Sequence, residues 1–516
     1  MTFSTNRRSF IVGTGALGVA TALGLPQFAQ AAEPKKGGVF KIGMSDSATD
    51  DSLDPKRAET KFQLNLNWQV RNNLIEVGPG GSLVPELATE WASSNNATEW
   101  VFTLRKGVEF HNGKPLVAAD VVFSVNMHRG EGNTSEIASL VKTITDVKAT
   151  GDHEVTMTLD GPNSSLPSLM TLVNLVIVPD GTTDFEDSMG TGPYILESFE
   201  PGVKSVAKRN PNYWKEGRAH FDSVETIAIS DATARTNALR TGEIHAMNSV
   251  DPTTANLLNT LPGIEVMQTQ GKVHYCYTMK TDDPVFKDAR VRTAMKLAID
   301  RQDMVDKILG GFGSVANDQP ISTAYAYHNA SIPQREYDPD QARSLLKAAG
   351  VSDLKVRLHA SDTPFKGAVD GGQLFAEHAA KAGITIEVSR EPEDGYWSNV
   401  WGVKPFFASR WSGRPNEDLM LTLAYSQASL GGWNASGWDN DAFNKALLAA
   451  RGETDEKLRT ELYAECQALI HENSGLIAPV WADFLDARSD KIVVSDEISS
   501  EWDLDGQRCA ERWSMA

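Results

Sequence analysis

Five of the twelve tryptophans, Trp397, Trp401, Trp411, Trp433 and Trp438, fall between residues 391 and 440. An indole offers a large apolar face and one N–H donor, and small-molecule clefts are built from such walls plus a few directed polar groups. The segment Phe406–Trp411 reads as a strand that runs into Ser412-Gly413-Arg414-Pro415. Ligands of open α/β sheets bind beyond the carboxyl ends of strands, and Pro415 biases Arg414 toward an extended backbone. A guanidinium held there suits the bidentate geometry of a carboxylate. Trp411 and Trp433 stand where periodic segments give way to loops rich in Gly, Ser and Asn, so they are expected to wall the cleft, whereas Trp401 is expected to pack the core. Ser412 and Gly413 complete the strand end and are expected to contact ligand with Arg414, and Asn434 is expected to supply a directed hydrogen bond. A second use of Arg414 stays open, an ion pair with Glu417 or Asp418 at the start of a helix over Glu417–Tyr425. Those two acids could also carry the charged ligand contact themselves.

Catalytic constellations are thin. Gly13-Thr14-Gly15-Ala16-Leu17-Gly18 matches a dinucleotide fingerprint by letter, but no strand precedes it. His471-Glu472 is followed by Asn473-Ser474-Gly475, so the second histidine of a zinc-protease helix is missing, and Cys276, Cys466 and Cys509 hold no pair at metal-ligand spacing. There is no G-x-S-x-G elbow and no phosphate-cradling loop. The acidic pairs Asp50-Asp51 and Asp282-Asp283 read as solvated turns. No cofactor and no metal are expected, and binding is favoured over turnover. A secreted hydrolase whose catalytic groups converge from distant positions is the alternative.

Thr5-Asn6-Arg7-Arg8-Ser9-Phe10-Ile11 puts an arginine pair before an uncharged stretch that closes on Ala29-Gln30-Ala31. This layout predicts a twin-arginine export signal over residues 1–31, cleaved after Ala31. No cysteine precedes Cys276, so no lipid anchor is expected and the mature protein should be free in the periplasm. Three cysteines permit one disulfide at most, and buried thiols are an equal reading. The formal charge of −19, from 68 acidic against 49 basic residues, excludes a general nucleic-acid binder. A chain of 516 residues exceeds what one core usually serves, so at least two lobes are expected.

The first part of the chain carries strand and hairpin signals at Val39–Gly43, Glu99–Arg105, Val108–His111, Thr145–Ala149 and Glu154–Leu159, interrupted by helices over Lys61–Val77, Ala118–Met127 and Ala232–Thr241. From Ala289 to Leu309 the apolar spacing predicts one long amphipathic helix. Leu354–Leu358, Leu374–Ala382, Ile384–Val388 and Phe406–Trp411 then alternate strand, helix, strand and strand, which predicts a mainly parallel sheet. Helices over Asp441–Ala450 and Glu456–His471 precede strand signals at Ile477–Trp481 and Ile492–Val494.

Asp288-Ala289-Arg290-Val291-Arg292-Thr293-Ala294-Met295 with Ala298-Ile299-Asp300-Arg301 resembles a signature of the peptide- and nickel-type (family 5) extracellular solute-binding proteins of ABC importers. Further stretches match that family in order. They are Phe110-His111-Asn112-Gly113-Lys114-Pro115 with Ala119-Asp120-Val121-Val122-Phe123-Ser124; Gly190-Thr191-Gly192-Pro193-Tyr194; Arg209-Asn210-Pro211-Asn212-Tyr213-Trp214; Thr241-Gly242-Glu243-Ile244; and Tyr337-Asp338-Pro339 with Ala342-Arg343-Leu345-Leu346-Ala349-Gly350. The resemblance implies an α/β two-lobed periplasmic-binding-protein fold with an extra subdomain inserted in the first lobe. It also implies a small-molecule or short-peptide ligand enclosed between the lobes, and permease subunits of an importer as partners. The expected division is a first lobe over 32–271 with an insert at about 76–189, a second lobe over 272–488, and a tail over 489–516 that rejoins the first. Hinge crossings are expected near Gly271–Tyr275 and Asp486–Lys491, with Tyr275 facing ligand, and the protein is expected to be a monomer. In the family's peptide binders this strand end resembles W-x-x-D, whose aspartate holds the peptide amino terminus. Here Trp411-Ser412-Gly413 precedes Arg414, so the charge is reversed.

Overall fold

The computed structural model describes residues 34–516 apart from 59, 393–395, 431–432 and 496–497, so the expected export signal lies outside the described residues. One eleven-stranded sheet links both lobes. Its first-lobe end sets Val39–Met44 parallel to Ser223–Ala228 and to Ala246–Met247, with Lys204–Arg209 and Tyr194–Glu200 continuing antiparallel at the edge. Its second-lobe end runs Ile384–Arg390, Leu354–Ala360, Phe406–Trp411.

Two long antiparallel strands, Ile264–Met279 and Leu476–Ser489, join the ends. Residues 264–269 pair with 484–489, and the latter strand also pairs with Ala246–Met247; residues 274–279 pair with 406–411 of the other lobe. The register breaks between Thr269 and Val273, opposite Ala482–Phe484. The first crossing therefore falls next to the expected Gly271. The second falls ahead of Asp486, because the strand runs on to Ser489 inside the first lobe.

A separate four-stranded antiparallel sheet, in the order Ala88–Ser94, Glu99–Leu104, Glu154–Leu159, Ile144–Gly151, has its own core around Phe102, Val121, Val155 and Met157. The tail buries Leu504, Cys509 and Trp513 against Phe40 and Phe62 of the first lobe. A buried ion network fastens it: Lys215 meets Glu76, Glu86 and Glu511, and Arg508 meets Glu86 at 2.8 Å.

Four local expectations are corrected. The helix from Lys61 ends at Val70 rather than Val77, since Arg71 turns extended and the Asn73 N–H and the Asn72 amide are drawn to the Glu86 carboxylate. The long helix over Ala289–Leu309 is two, Ala289–Leu297 and Arg301–Ile308, because Asp300 takes an N-cap conformation and accepts from the Asp303 N–H. The second-lobe sheet is mixed rather than mainly parallel: Leu354–Ala360 is parallel to Ile384–Arg390, but Phe406–Trp411 pairs mainly with the antiparallel hinge strand Ile264–Met279. Val108–His111 forms only an isolated bridge from Glu109 to Pro115.

Candidate ligand-binding site

The strand Phe406–Trp411 forms where six consecutive residues are apolar or small except for Arg410, and it ends at the loop 412–415. Asn416 then caps the helix Glu417–Tyr425 through the Leu419 N–H. Three chambers that share lining residues lie between the lobes around this loop and Asn416. The inner one, about 280 Å³, takes Gly413, Arg414, Pro415, Leu419 and Leu423 from the second lobe. Its other walls are Leu64 and Trp68 of the first-lobe helix, Leu172 and Val173, and Glu501, Trp502, Gly506 and Arg508 of the tail. A chamber of about 690 Å³ opens between the inserted sheet and the helix Asp441–Gly452, and one of about 380 Å³ reaches past Tyr325 to Trp91 and Trp100.

Arg414 pairs with neither of the acids once open to it. Asp418 is gripped by Arg451 Nε at 3.0 and 3.1 Å, and Glu417 accepts the Tyr327 N–H at 2.6 Å. The Arg414 guanidinium instead stacks over the rings of Trp411 and Trp433, 5.6 and 5.8 Å from their centroids. Its Nη1 donates to the Ser412 and Gly413 carbonyls, and its backbone N–H to the Tyr325 hydroxyl. Among the described residues, Nε and Nη2 have no acceptor and no carboxylate forms an ion pair with Arg414. Burial holds its pKa below the usual arginine value, against the opposing pull of Tyr325 and Glu501. The side-on edge of the fork, Nε and Nη2, is thus unspent.

Trp411 and Trp433 therefore brace the guanidinium rather than line the inner chamber; together with Trp401 they form a triangle of rings 5.9 to 6.5 Å apart. Trp411 is buried in the second-lobe core, while Trp433 is 54 % exposed. Asn434 is corrected: its amide N donates to the Ser426 and Trp438 carbonyls and its oxygen accepts from Ser436 Oγ, so both of its donors are committed to shaping its own loop. Tyr275 is corrected too. Strand alternation turns it to the face opposite His274, where it stacks on Phe365 at 4.2 Å, outside all three chambers. His274 faces the Arg414 side, is fully buried with both ring nitrogens unpartnered, and is held neutral with a pKa pushed down to about 3 by burial and then by Arg414.

The residues that sequence reasoning missed come from the tail and the hinge. Glu501 meets Lys272 at 2.5 Å; Lys272 stands at the register break, its ammonium 4.7 Å from the Tyr325 ring, and a Cβ on Gly413 would come within 2.6 Å of its Cβ. Next to them, Leu504, Asp505, Gly506 and Gln507 are successive left-handed residues, φ 51, 59, 66 and 62°. Such a run is unfavourable for all but glycine, and it is held by the Gly506 N–H to Trp502 O and the Gln507 N–H to Asp503 O, with the Asp505 carboxylate accepting from Ser499 N–H and Arg512. The run Glu501-Trp502-Asp503-Leu504-Asp505-Gly506 mixes aromatic, acidic and glycine residues, which is the only hint the sequence offers of a cleft floor.

Among the described residues, one cluster of metal-ligating type, Glu76, Glu86 and Glu511, is occupied by the Lys215 and Arg508 cations and belongs to the fold. The inserted sheet meets the second lobe where the Ser164 N–H and hydroxyl both donate to the Arg451 carbonyl, 2.7 and 2.9 Å, and Pro162 faces Gly452.

A chamber closed by two lobes that share one hinged pair of strands defines a two-lobed binding protein of the periplasmic type. The chain belongs to the bacterial extracellular solute-binding proteins, family 5, whose middle-region profile matches residues 82–454. It is 27% identical over 471 residues, 84% of this chain and 88% of the other, to a probable di/tripeptide-binding protein 5 of Pseudomonas aeruginosa. It is 25% identical over 476 residues, 83% and 84% of the two chains, to the periplasmic oligopeptide-binding protein of Escherichia coli. Among solved structures, a periplasmic binding protein from Agrobacterium tumefaciens in complex with agropinic acid superposes with a TM-score of 0.77 at 21% identity, covering 93% of this chain and 99% of that one.

Proposed function

We propose that this chain is the periplasmic receptor of an ABC importer, exported as a folded, cofactor-free monomer by the twin-arginine route, that captures a carboxylate-bearing organic solute and delivers it to the permease subunits. Family membership and the names of the peptide-binding relatives support the transport role. The observation that carries the ligand class is Arg414, braced by two indoles inside an interlobe chamber with its Nε and Nη2 donors unspent. Arginine presents those two donors in one plane, matched to the two oxygens of a carboxylate. Where the family's peptide binders resemble W-x-x-D, this cation reverses the charge, so a peptide amino terminus is not the group anchored here. Ser412 and Gly413 give their carbonyls to Nη1 and so fix the fork.

Ligand extracted from natively purified protein and identified by mass spectrometry tests this directly. A carboxylate-bearing compound recovered chemically unchanged after incubation supports it; a cationic ligand, or one converted to products as the secreted-hydrolase alternative requires, overturns it. No described residue group supports that alternative.

A further inference from the structure

The inner chamber selects the body of its ligand as well as its charge, given the reading above that Arg414 holds an anionic group. The other charged side chains on its wall are answered. Arg508 bonds the two Glu86 oxygens at 2.8 and 3.2 Å and lies 3.3 Å from Glu511, and Glu501 is held by Lys272 at 2.5 Å. Arg414 is the one described charge of the wall without an opposite partner, so the chamber is one positive charge out of balance. Polar side chains of the wall are committed as well: the Thr171 hydroxyl donates to Ser168 O and the Asn174 amide to Pro55 O, both at 2.7 Å. The remaining surface is apolar on both sides, Leu64, Trp68, Leu172 and Trp502 from the first lobe against Leu419 and Leu423 from the second.

We infer that the inner chamber takes a small monoanion with an apolar body, an aryl- or branched-alkyl carboxylate, rather than a zwitterionic dipeptide or a sugar acid. A dipeptide would bring an ammonium to a wall whose only acid, Glu501, already serves Lys272. Beside the chamber, Glu417 and Asp418 are likewise engaged, by the Tyr327 N–H and by Arg451. A sugar acid would bury several hydroxyls against carbon, and buried polar groups without partners are unfavourable. An aromatic or branched body pays neither penalty and fills space between Trp68 and Trp502, with one carboxylate on the fork.

The test uses the mature protein freed of bound ligand and four probes in calorimetry: 4-phenylbutyrate, its uncharged amide 4-phenylbutyramide, leucyl-leucine and gluconate. The expected result is binding of 4-phenylbutyrate, at least thirtyfold weaker binding of the amide, and no detectable binding of leucyl-leucine or gluconate. Absence of 4-phenylbutyrate binding, or leucyl-leucine or gluconate binding as tightly, overturns the inference. Arg414→Ala, with Arg414→Gln as a second variant and melting curves to establish folding, separates this from the anchor. If leucyl-leucine binds and the variants abolish that binding, the apolar-body assignment fails alone. If 4-phenylbutyrate binds equally to wild type and both variants, the anchor fails with it.

Discussion

Placing a side chain at Gly452 should hold the cleft open. Gly452 ends the helix Asp441–Gly452 on the second lobe and faces Pro162 of the inserted sheet; a Cβ there would lie 2.9 Å from the Pro162 Cβ, closer than real Cβ atoms approach, and hydrogen bonds from the Ser164 N–H and hydroxyl to the Arg451 carbonyl pin the two surfaces at that point. The glycine is not in the left-handed region, so Gly452→Val adds volume without backbone strain. The clash exists only when the lobes are together, so it acts on the closed state alone and reduces apparent affinity by the fraction of closure lost. Overpacking a close contact costs ~1–3 kcal/mol. At ~1.4 kcal/mol per tenfold, that is a loss of about 5- to 150-fold in affinity, with the melting temperature of ligand-free protein unchanged. Calorimetry with the extracted ligand reads the loss, small-angle scattering reads incomplete compaction, and Pro162→Gly in the Gly452→Val background should restore both. Wild-type affinity in Gly452→Val, or a loss that Pro162→Gly leaves untouched, would refute the reasoning.

Two further outcomes follow from buried groups. Asp486 on the hinge strand accepts the Leu504 N–H through one oxygen while the other has no described partner; burial first and the nearby Asp503 carboxylate second push its pKa well above the usual aspartate value. A folded state that holds this proton more tightly than the unfolded chain loses stability as pH rises from the ordinary aspartate range through the raised value. Asp486→Asn should therefore raise the melting temperature relative to wild type more at pH 8 than at pH 5, and a pH-independent difference would exclude this role. The thiols of Cys276, Cys466 and Cys509 are free and buried, and burial lifts the first two to about 12. A chromogenic disulfide reagent should leave them unlabelled in the native protein and titrate three thiols in denaturant; fewer than three would reveal a disulfide.

The sequence carried the scaffold well where a pattern is local. Phe406–Trp411 and Glu417–Tyr425 have the bounds read from the sequence, and the helix Ala232–Thr241 stops at Gly242, which is left-handed. It failed where long-range contacts decide. Nothing near Leu74 announces that Glu86 will draw Asn72 and Asn73 out of a helix, and Asp300 was readable as a cap only by giving its side chain precedence over the apolar spacing of 289–309. Arg414 was legible from the strand-loop-proline pattern. The use of its neighbours was not: Trp411 and Trp433 serve the cation, Asn434 is spent on Ser426, Trp438 and Ser436, and Tyr275 faces away by strand parity. The tail residues Glu501 and Trp502 reach the chamber through a chain return of more than two hundred residues from Lys272, which no local spacing encodes.

The central claim is that an anion in the interlobe chamber is held by the unspent edge of Arg414. Titration calorimetry of the extracted ligand against wild type and Arg414→Ala tests it most directly. Truncating a buried partner of a charge pair costs ~2–5 kcal/mol, so affinity should fall at least about thirtyfold, with Arg414→Lys recovering only part because an ammonium lacks the planar fork. Affinity within about twofold of wild type in a normally folded Arg414→Ala protein, equivalent to ~0.4 kcal/mol, would contradict it.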